Sequence, residues 1–122
     1  IPFISILLVI VFRGVMLPTN EEIIKYARRL KDMGAVNVLI SMAGDGAILI
    51  DKDDNVHTCG VCKGKVKNSV GAGDSMVAGF VAGSVDGDYE YALKLGTASG
   101  GATAFSDGLA KKDEIFRLLE QL

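Results

Sequence analysis

Apolar and polar residues recur with two different periods along the chain, and these periods predict both strands and helices. Mostly apolar runs predict buried strands at residues 1–12, 36–42 and 47–50. Extended segments are predicted at residues 56–61 and 65–67. Helical spacing of apolar residues predicts helices at residues 20–33, 74–85, 89–105 and 112–122. Helices that alternate with strands predict an α/β fold whose sheet is at least partly parallel.

The predicted helix at residues 20–33 has both a start and a stop signal. Thr19 is followed three residues later by Glu22, which is the pattern of a capping box. Gly34 stands where the helix is expected to end, because glycine readily adopts the left-handed conformation found after many helices. This helix therefore has the best-defined boundaries in the sequence.

Length, composition and charge narrow the class of protein. The 122 residues fit one domain, so residues 1–122 are predicted to form a single domain, and 49% hydrophobic residues allow a buried core. The formal charge of −2 argues against nucleic-acid binding. The apolar run at residues 1–12 is shorter than the roughly 20 residues of a membrane span. Because the chain begins with Ile1 rather than methionine, we expect a fragment, a processed product or an incomplete record.

Cys59 and Cys62 form a C-x-x-C motif, which redox and zinc sites also use. The motif lies in a predicted extended segment, whereas such sites normally have a helix start or a second ligand pair. The chain has one histidine and no further cysteines. We expect ordinary reduced thiols in a cytosolic protein, with a metal site at the two cysteines as the weaker alternative.

The run NSVGAGD at residues 68–74 has the composition of a phosphate-binding turn at the start of a helix. The first turn of a helix has backbone N–H groups without partners, and the helix dipole adds about half a positive charge there. Glycines let this backbone approach a phosphate with no side chain in the way. Asp74 lies in the same turn, so its carboxylate can accept the proton of an attacking hydroxyl while the amides hold the phosphate.

Two plainer interpretations of this run stay open. An aspartate at a helix start is more often a cap than a base, and a glycine-rich turn is often only a turn. The combination favours chemistry, because Asn68 precedes the glycines and a helix of small residues follows Asp74.

Residues 68–81 resemble the second signature of the ribokinase-like (PfkB) carbohydrate kinases. The segment KGKVKNSVGAGDSMVAGF, residues 63–80, is most similar to two branches of that family, the 1-phosphofructokinases and the tagatose-6-phosphate kinases. The resemblance runs from about Glu21 to Leu122. It implies the C-terminal portion of a three-layer α/β/α domain, with the N-terminal half of the sheet, the lid over the sugar and the first signature missing.

The resemblance implies roles for individual residues of the turn. Asp74 would be the catalytic base, and Gly71, Ala72 and Gly73 would form the anion hole, with Gly73 and Asp74 also contacting the nucleotide. A second, nucleotide-binding turn would follow the strand at residues 36–42. Its residues are Ser41, Met42, Ala43, Gly44, Asp45 and Gly46. Many relatives have glycine at the position of Ala43, which is a mild departure.

The small residues at 96–102 resemble the helix that borders the adenine in this family, and Gly100 is the candidate contact. A close helix–helix contact explains the same residues, and a plain turn between strands explains residues 41–46. A further departure concerns residues 4–12, ISILLVIVF, where the family normally has an Asn-x-x-Glu motif that organises Mg²⁺ and phosphate.

The resemblance also implies an activity, namely transfer of the γ-phosphoryl group of ATP to a sugar phosphate, with Mg²⁺ as the metal. The first acceptor is fructose 1-phosphate, which gives fructose 1,6-bisphosphate. The alternatives are tagatose 6-phosphate as acceptor, or a non-catalytic nucleotide-binding fragment of such a kinase. A cytoplasmic location is expected, and a homodimer is compatible with the family, whose lids often mediate dimers.

Overall fold

The computed structural model describes residues 6–10, 19–42, 46–68 and 70–122, and for residues 6–10 it describes the strand alone. The elements in this part of the chain are β1 (Ile6–Ile10), α1 (Asn20–Asp32), β2 (Asn37–Ser41), β3 (Ala47–Ile50), β4 (Val56–Cys59), α2 (Ala72–Gly83), α3 (Tyr89–Ala104) and α4 (Lys112–Leu119). They fall into two compact units, Ile1–Thr58 and Cys59–Leu122. Each unit is described by itself, and the single domain expected from the sequence stays a prediction.

The first unit is built on a four-stranded sheet with the order β1-β2-β3-β4. β1 pairs with β2 in parallel, and β2 pairs with β3 antiparallel. The connections account for this difference, because parallel neighbours need a long crossover, whereas antiparallel neighbours can follow a short turn. The connection from β1 to β2 includes α1, whereas only residues 42–46 separate β2 from β3. The sheet is therefore mixed.

α1 has the ends that the sequence predicts. Thr19 is the N-cap, and its side-chain oxygen accepts a hydrogen bond from the backbone N–H of Glu22 at 3.2 Å. Met33 is the C-cap, and Gly34 follows with φ +118°. The helix buries one stripe against the sheet. This core contains Ile23, Ala27, Val38, Ile40, Met42, Ile48 and Ile50.

The hairpin between β3 and β4 is held by Asp51, which is 2% exposed. Its Oδ1 accepts hydrogen bonds from the backbone N–H groups of Asp53 and Asn55 at 2.9 and 3.0 Å. Its Oδ2 lies 2.7 Å from Nε2 of His57. Burial raises the pKa of Asp51, but these hydrogen bonds outweigh burial, so the pKa of the carboxyl lies below its usual value. Both carboxylate oxygens are thus used by the fold.

The second unit consists of α2, α3 and α4, and glycines allow its first two helices to approach closely. A Cβ added at Gly96 would lie 2.8 Å from the backbone oxygen of Met76, and one at Gly83 would lie 2.7 Å from Cα of Ala92. Phe80 is fully buried, and its ring centroid lies 6.3 Å from that of Tyr89. α4 packs against α3, and the buried core between these two helices contains Ala98 and Ala102 of α3 and Leu118 of α4.

The two segments predicted to be extended, at residues 56–61 and 65–67, form less strand in the structure than predicted. The extended segment predicted at residues 56–61 is a strand only to Cys59, and residues 65–67 are not assigned to a strand. The backbone N–H groups of Lys67 and Asn68 donate to the carbonyl of Ala104 at 2.8 and 3.1 Å, so they bind the end of α3 instead of a neighbouring strand. Among the described helices, none has the length and apolarity needed to cross a membrane.

Candidate phosphate-binding site

The approach to the predicted phosphate-binding turn is fixed by backbone and side-chain hydrogen bonds. After the two bonds to Ala104, the side-chain oxygen of Asn68 accepts a hydrogen bond from the backbone N–H of Val70 at 3.0 Å. Such a bond between a residue and the N–H two positions later makes a compact local turn. Ser69 lies outside the described residues. Asn68 thus directs the chain into the start of α2.

Gly71 is the N-cap residue of α2, and its backbone is left-handed, with φ +83°. It provides no side-chain cap, and α2 has no side-chain cap hydrogen bond. Among the described residues, the only atom within 4 Å of a Cβ built on Gly71 would be Cγ2 of Thr103, at 3.9 Å. The first N–H groups of a helix have no acceptors within the helix. This helix start therefore fits an anionic ligand such as a phosphate.

Asp74 is the third residue of α2, and its side chain is exposed. It does not cap the helix, because Gly71 occupies the N-cap position. Within residues 19–42, 46–68 and 70–122, its carboxylate makes no hydrogen bond or ion pair. A free carboxylate beside open helix amides has the arrangement that a general base for phosphoryl transfer requires. The catalytic role itself stays a prediction.

A hydroxyl bridge lies behind this turn, and the sequence analysis missed it. The Ser75 Oγ and Thr103 Oγ1 atoms are 2.7 Å apart, and the backbone N–H of Ala110 donates to Thr103 Oγ1 at 3.3 Å. Ser75 and Thr103 are 28 residues apart in the chain, so no local pattern connects them. The only sequence signal is a hydroxyl residue within the small-residue helix.

The second predicted turn is described at its two ends. Ser41 is the last residue of β2, and Gly46 precedes β3 with φ +99°. The backbone N–H of Met42 donates to the carbonyl of Gly46 at 2.8 Å, which closes the turn. Ala43, Gly44 and Asp45 lie outside the described residues. The nucleotide-binding role of this turn stays a prediction, and the structure describes it in a different unit from α2.

Gly100 lies against α2 in the structure. A Cβ at this position would be 3.1 Å from the backbone oxygen of Ala72 and 3.3 Å from Cβ of Met76. The helix–helix alternative considered for the small residues therefore has direct support. Contact between Gly100 and a nucleotide stays a prediction that no observation tests.

The two cysteines are free and partly buried. Burial raises the pKa of both thiols, which favours the thiol over the thiolate that binds metals. Sγ of Cys62 donates a weak hydrogen bond to the carbonyl of Leu118 at 3.6 Å. In the part of the chain that the structure describes, no group of three or more His, Cys, Asp or Glu residues could hold a metal ion.

Comparison with known proteins identifies the class. Residues 11–115 match the profile of the pfkB family carbohydrate kinases. The match covers most of the 122 residues, and this chain belongs to that family. The turn at the start of α2 lies within the matched residues.

Particular relatives narrow the comparison. The chain is 46% identical over 110 residues to a 1-phosphofructokinase of Bacillus subtilis, covering 89% of this chain and 36% of the relative. It is 38% identical to a D-tagatose-1-phosphate kinase of Bacillus licheniformis, covering 85% of this chain and 34% of the relative. A crystal structure from Staphylococcus aureus, assigned as a phosphofructokinase, has a TM-score of 0.81 and 44% identity, covering 87% of this chain and 35% of that one. The chain thus has an α/β kinase fold and spans about a third of the length of these curated relatives.

Proposed function

We propose that this chain is the ATP-binding part of a sugar-phosphate kinase, and that the whole protein transfers the γ-phosphoryl group of ATP to fructose 1-phosphate. The 1-phosphofructokinase of Bacillus subtilis supports this choice of acceptor. The observation that carries the proposal is the start of α2, where a helix N-terminus without a side-chain cap and a carboxylate without a partner among the described residues share one turn.

The residues of the turn divide the reaction between them. Gly71, Ala72 and Gly73 form the anion hole, and their backbone N–H groups bind and orient the anionic oxygens of the transferring phosphate. The carboxylate of Asp74 accepts the proton of the sugar hydroxyl as that hydroxyl attacks the phosphorus. The bond from phosphorus to the leaving oxygen of ATP breaks, and ADP departs with the electron pair.

The cofactors are ATP and Mg²⁺. Mg²⁺ neutralises phosphate charge when it is bound. Within residues 19–42, 46–68 and 70–122, no group of three or more His, Cys, Asp or Glu residues could hold a metal ion. Mg²⁺ would therefore be held largely by the phosphate oxygens of ATP in this proposal. Ser41, Ala43, Gly44, Asp45 and Gly46 remain the candidate nucleotide-binding turn, on the strength of the family resemblance.

Two alternatives concern the acceptor and the activity. The similarity to a D-tagatose-1-phosphate kinase favours a tagatose phosphate as the second candidate acceptor, and the sequence resemblance favoured tagatose 6-phosphate. The other alternative is a non-catalytic chain that binds nucleotide, because the chain spans about a third of the length of the relatives that it matches. A homodimer, a cytoplasmic location and a three-layer domain stay predictions.

The experiment is an assay of phosphoryl transfer from Mg·ATP to each of three acceptors: fructose 1-phosphate, tagatose 1-phosphate and tagatose 6-phosphate. It uses the polypeptide itself and any longer protein that contains it. We expect turnover with fructose 1-phosphate that the substitution Asp74→Asn lowers by about 10²-fold or more. Asp113→Asn is the matched control, since Asp113 is exposed in the first turn of α4 and should keep full turnover.

The outcomes separate the candidates. Binding of Mg·ATP without transfer to any acceptor, in the polypeptide and in the longer protein, would leave only the non-catalytic alternative. If phosphoryl transfer to a tagatose phosphate is faster, then that tagatose phosphate, and not fructose 1-phosphate, is the acceptor. Near-normal turnover of the Asp74→Asn variant would remove Asp74 from the mechanism.

A further inference from the structure

Thr103 is a buried polar residue directly behind the turn that carries Asp74, and it is 2% exposed. It lies in α3, one residue before the last residue of that helix. Its hydroxyl oxygen is 2.7 Å from Oγ of Ser75, the residue after Asp74. The same oxygen accepts a hydrogen bond from the backbone N–H of Ala110 at 3.3 Å. One side chain therefore connects α3, the first turn of α2 and the loop that precedes α4.

The hydrogen-bonding capacity of the threonine hydroxyl matches this environment. A hydroxyl has one hydrogen to donate and two lone pairs to accept with. The N–H of Ala110 uses one lone pair, and either the hydrogen or the second lone pair of Thr103 serves Ser75. Both partners are available only through tertiary structure, so a variant without the hydroxyl has no local replacement for either bond.

The methyl group of Thr103 has a separate contact. Its Cγ2 would be 3.9 Å from a Cβ built on Gly71, which is an ordinary van der Waals distance. The methyl thus lies behind the N-cap residue, while the hydroxyl holds the residue after Asp74. Valine would keep the methyl and lose the hydroxyl, and serine would do the reverse.

We propose that Thr103 is a positioning residue for phosphoryl transfer, and that its hydroxyl fixes Ser75 and thereby the directions of the Asp74 carboxylate and of the first amides of α2. This inference rests on the proposed function for the reaction that it serves. Small displacements of a reacting group are costly, because a shift of about 1 Å can reduce a rate by roughly 10²-fold. A buried hydrogen bond to the residue next to the base restricts such displacement.

Three single variants and one double variant test this role by steady-state kinetics in the longest protein that contains the chain. Thr103→Val should lower kcat about tenfold while KM for Mg·ATP stays within about twofold, because the base is displaced but the nucleotide still binds. Thr103→Ser should restore kcat to within about twofold. Ser75→Ala should also lower kcat, because it removes the same Ser75–Thr103 bond. The double variant should be no worse than Thr103→Val, which already removes that bond together with the acceptor of the Ala110 N–H.

Ser106→Ala is the matched control. Ser106 lies just after α3 and its Oγ binds the carbonyl of Ala102 at 2.7 Å and Oε2 of Glu114 at 2.8 Å, so it makes no contact with α2 in these bonds. Its kcat should stay within about twofold of the unmodified protein. An equal loss in Ser106→Ala, an equal loss in Thr103→Ser and Thr103→Val, or full activity of Thr103→Val and Ser75→Ala would each overturn the positioning role.

A second measurement separates this inference from the proposed function. The amide ¹⁵N and ¹H resonances of residues 71–75 report the turn without any reaction. We expect Thr103→Val and Ser75→Ala to shift them, and Thr103→Ser and Ser106→Ala to leave them close to those of the unmodified chain. A protein without kinase activity but with these shifts would contradict the proposed function alone. Unchanged resonances in Thr103→Val would contradict the role of Thr103, whatever the activity.

Discussion

The two helices that pack together in the second unit begin in opposite ways. The N-cap of α3 is Asp88, whose Oδ1 accepts a hydrogen bond from the backbone N–H of Tyr91 at 3.1 Å. The N-cap of α2 is Gly71, which has a left-handed backbone and no side chain to bind the free N–H groups. Each helix start has an aspartate, but Asp88 caps its helix, whereas Asp74 has no partner in the part of the chain that the structure describes.

This difference shows how one residue type acquires two roles. A side-chain cap typically contributes about 1 kcal/mol to stability, and it occupies the N–H groups that an anion would bind. α2 lacks that contribution and keeps its amides open. α3 has a stabilising side-chain cap, and α2 beside it lacks one. The loss of a local stabilising interaction at one position is typical of a functional site.

Of the substitutions that test the start of α2, Gly73→Val is expected to reduce turnover the most. A β-branched side chain in the first turn would block the approach of a phosphate to the amides. We expect loss of turnover by about 10²-fold, measured with Mg·ATP and fructose 1-phosphate. Gly60→Val is the control, because a Cβ at Gly60 meets nothing within 4 Å. Unchanged turnover and ATP affinity in Gly73→Val would argue against an anion site at this turn.

The substitution Gly96→Ala tests whether the spacing of α2 and α3 depends on glycine. The added Cβ would lie 2.8 Å from the backbone oxygen of Met76, so the helices must separate. We expect the free energy of unfolding to fall by about 1–3 kcal/mol, measured by urea denaturation. In Gly101→Ala the nearest atom is Cβ of Cys62 at 3.4 Å, so the better helix propensity of alanine should keep or raise stability. Equal stability of the two variants would contradict the close contact.

Like Asp88, Asp51 has a carboxylate that makes structural hydrogen bonds, and the stability that these bonds give the protein should depend on pH. Its folded-state pKa is lowered, so its contribution is fully present above the unfolded-state pKa of about 3.9 and is lost as pH falls through the folded-state value. We expect Asp51→Asn to lower the free energy of unfolding by about 1–3 kcal/mol at pH 7. The difference from the unmodified chain should shrink as pH falls below the unfolded-state pKa and through the lowered folded-state pKa.

The control for this pH series is Asp113→Asn, an exposed aspartate whose replacement should change stability by less than about 0.5 kcal/mol at either pH. Urea denaturation at several pH values measures all three proteins. If the difference in unfolding free energy between Asp51→Asn and the unmodified chain stays constant or grows as pH falls, then the hydrogen bonds to Asp51 do not lower its pKa.

The parts of the fold that depend on neighbouring residues could be predicted from the sequence. The N-cap at Thr19 and the strand at residues 47–50 are found as predicted, because a capping pattern and an apolar run are local signals. The start of α2 was placed at Asp74 and lies at Ala72, since the left-handed backbone of Gly71 allows the helix to begin earlier.

The rest depends on contacts between distant residues. The segment at 65–67 is predicted to be extended, but the backbone N–H of Lys67 donates to Ala104 at the end of α3, which no local pattern indicates. The candidate site was predicted as a motif, whereas the bridge between Ser75 and Thr103 joins residues on two helices. From the sequence, a cap is the commoner role for an aspartate at a helix start, and the combination of neighbouring residues favoured a base instead. The position of Gly71 as N-cap shows that Asp74 is not the cap.

The most direct test of this account measures turnover and unfolding free energy together for Asp74→Asn and Asp88→Ala. We expect Asp74→Asn to lose turnover by about 10²-fold or more, with a stability change below about 0.5 kcal/mol. Asp88→Ala should lose about 1 kcal/mol of stability and keep turnover per folded molecule. If Asp74→Asn instead loses stability as Asp88→Ala does and keeps its turnover, then the aspartate of α2 is a structural residue and the account is wrong.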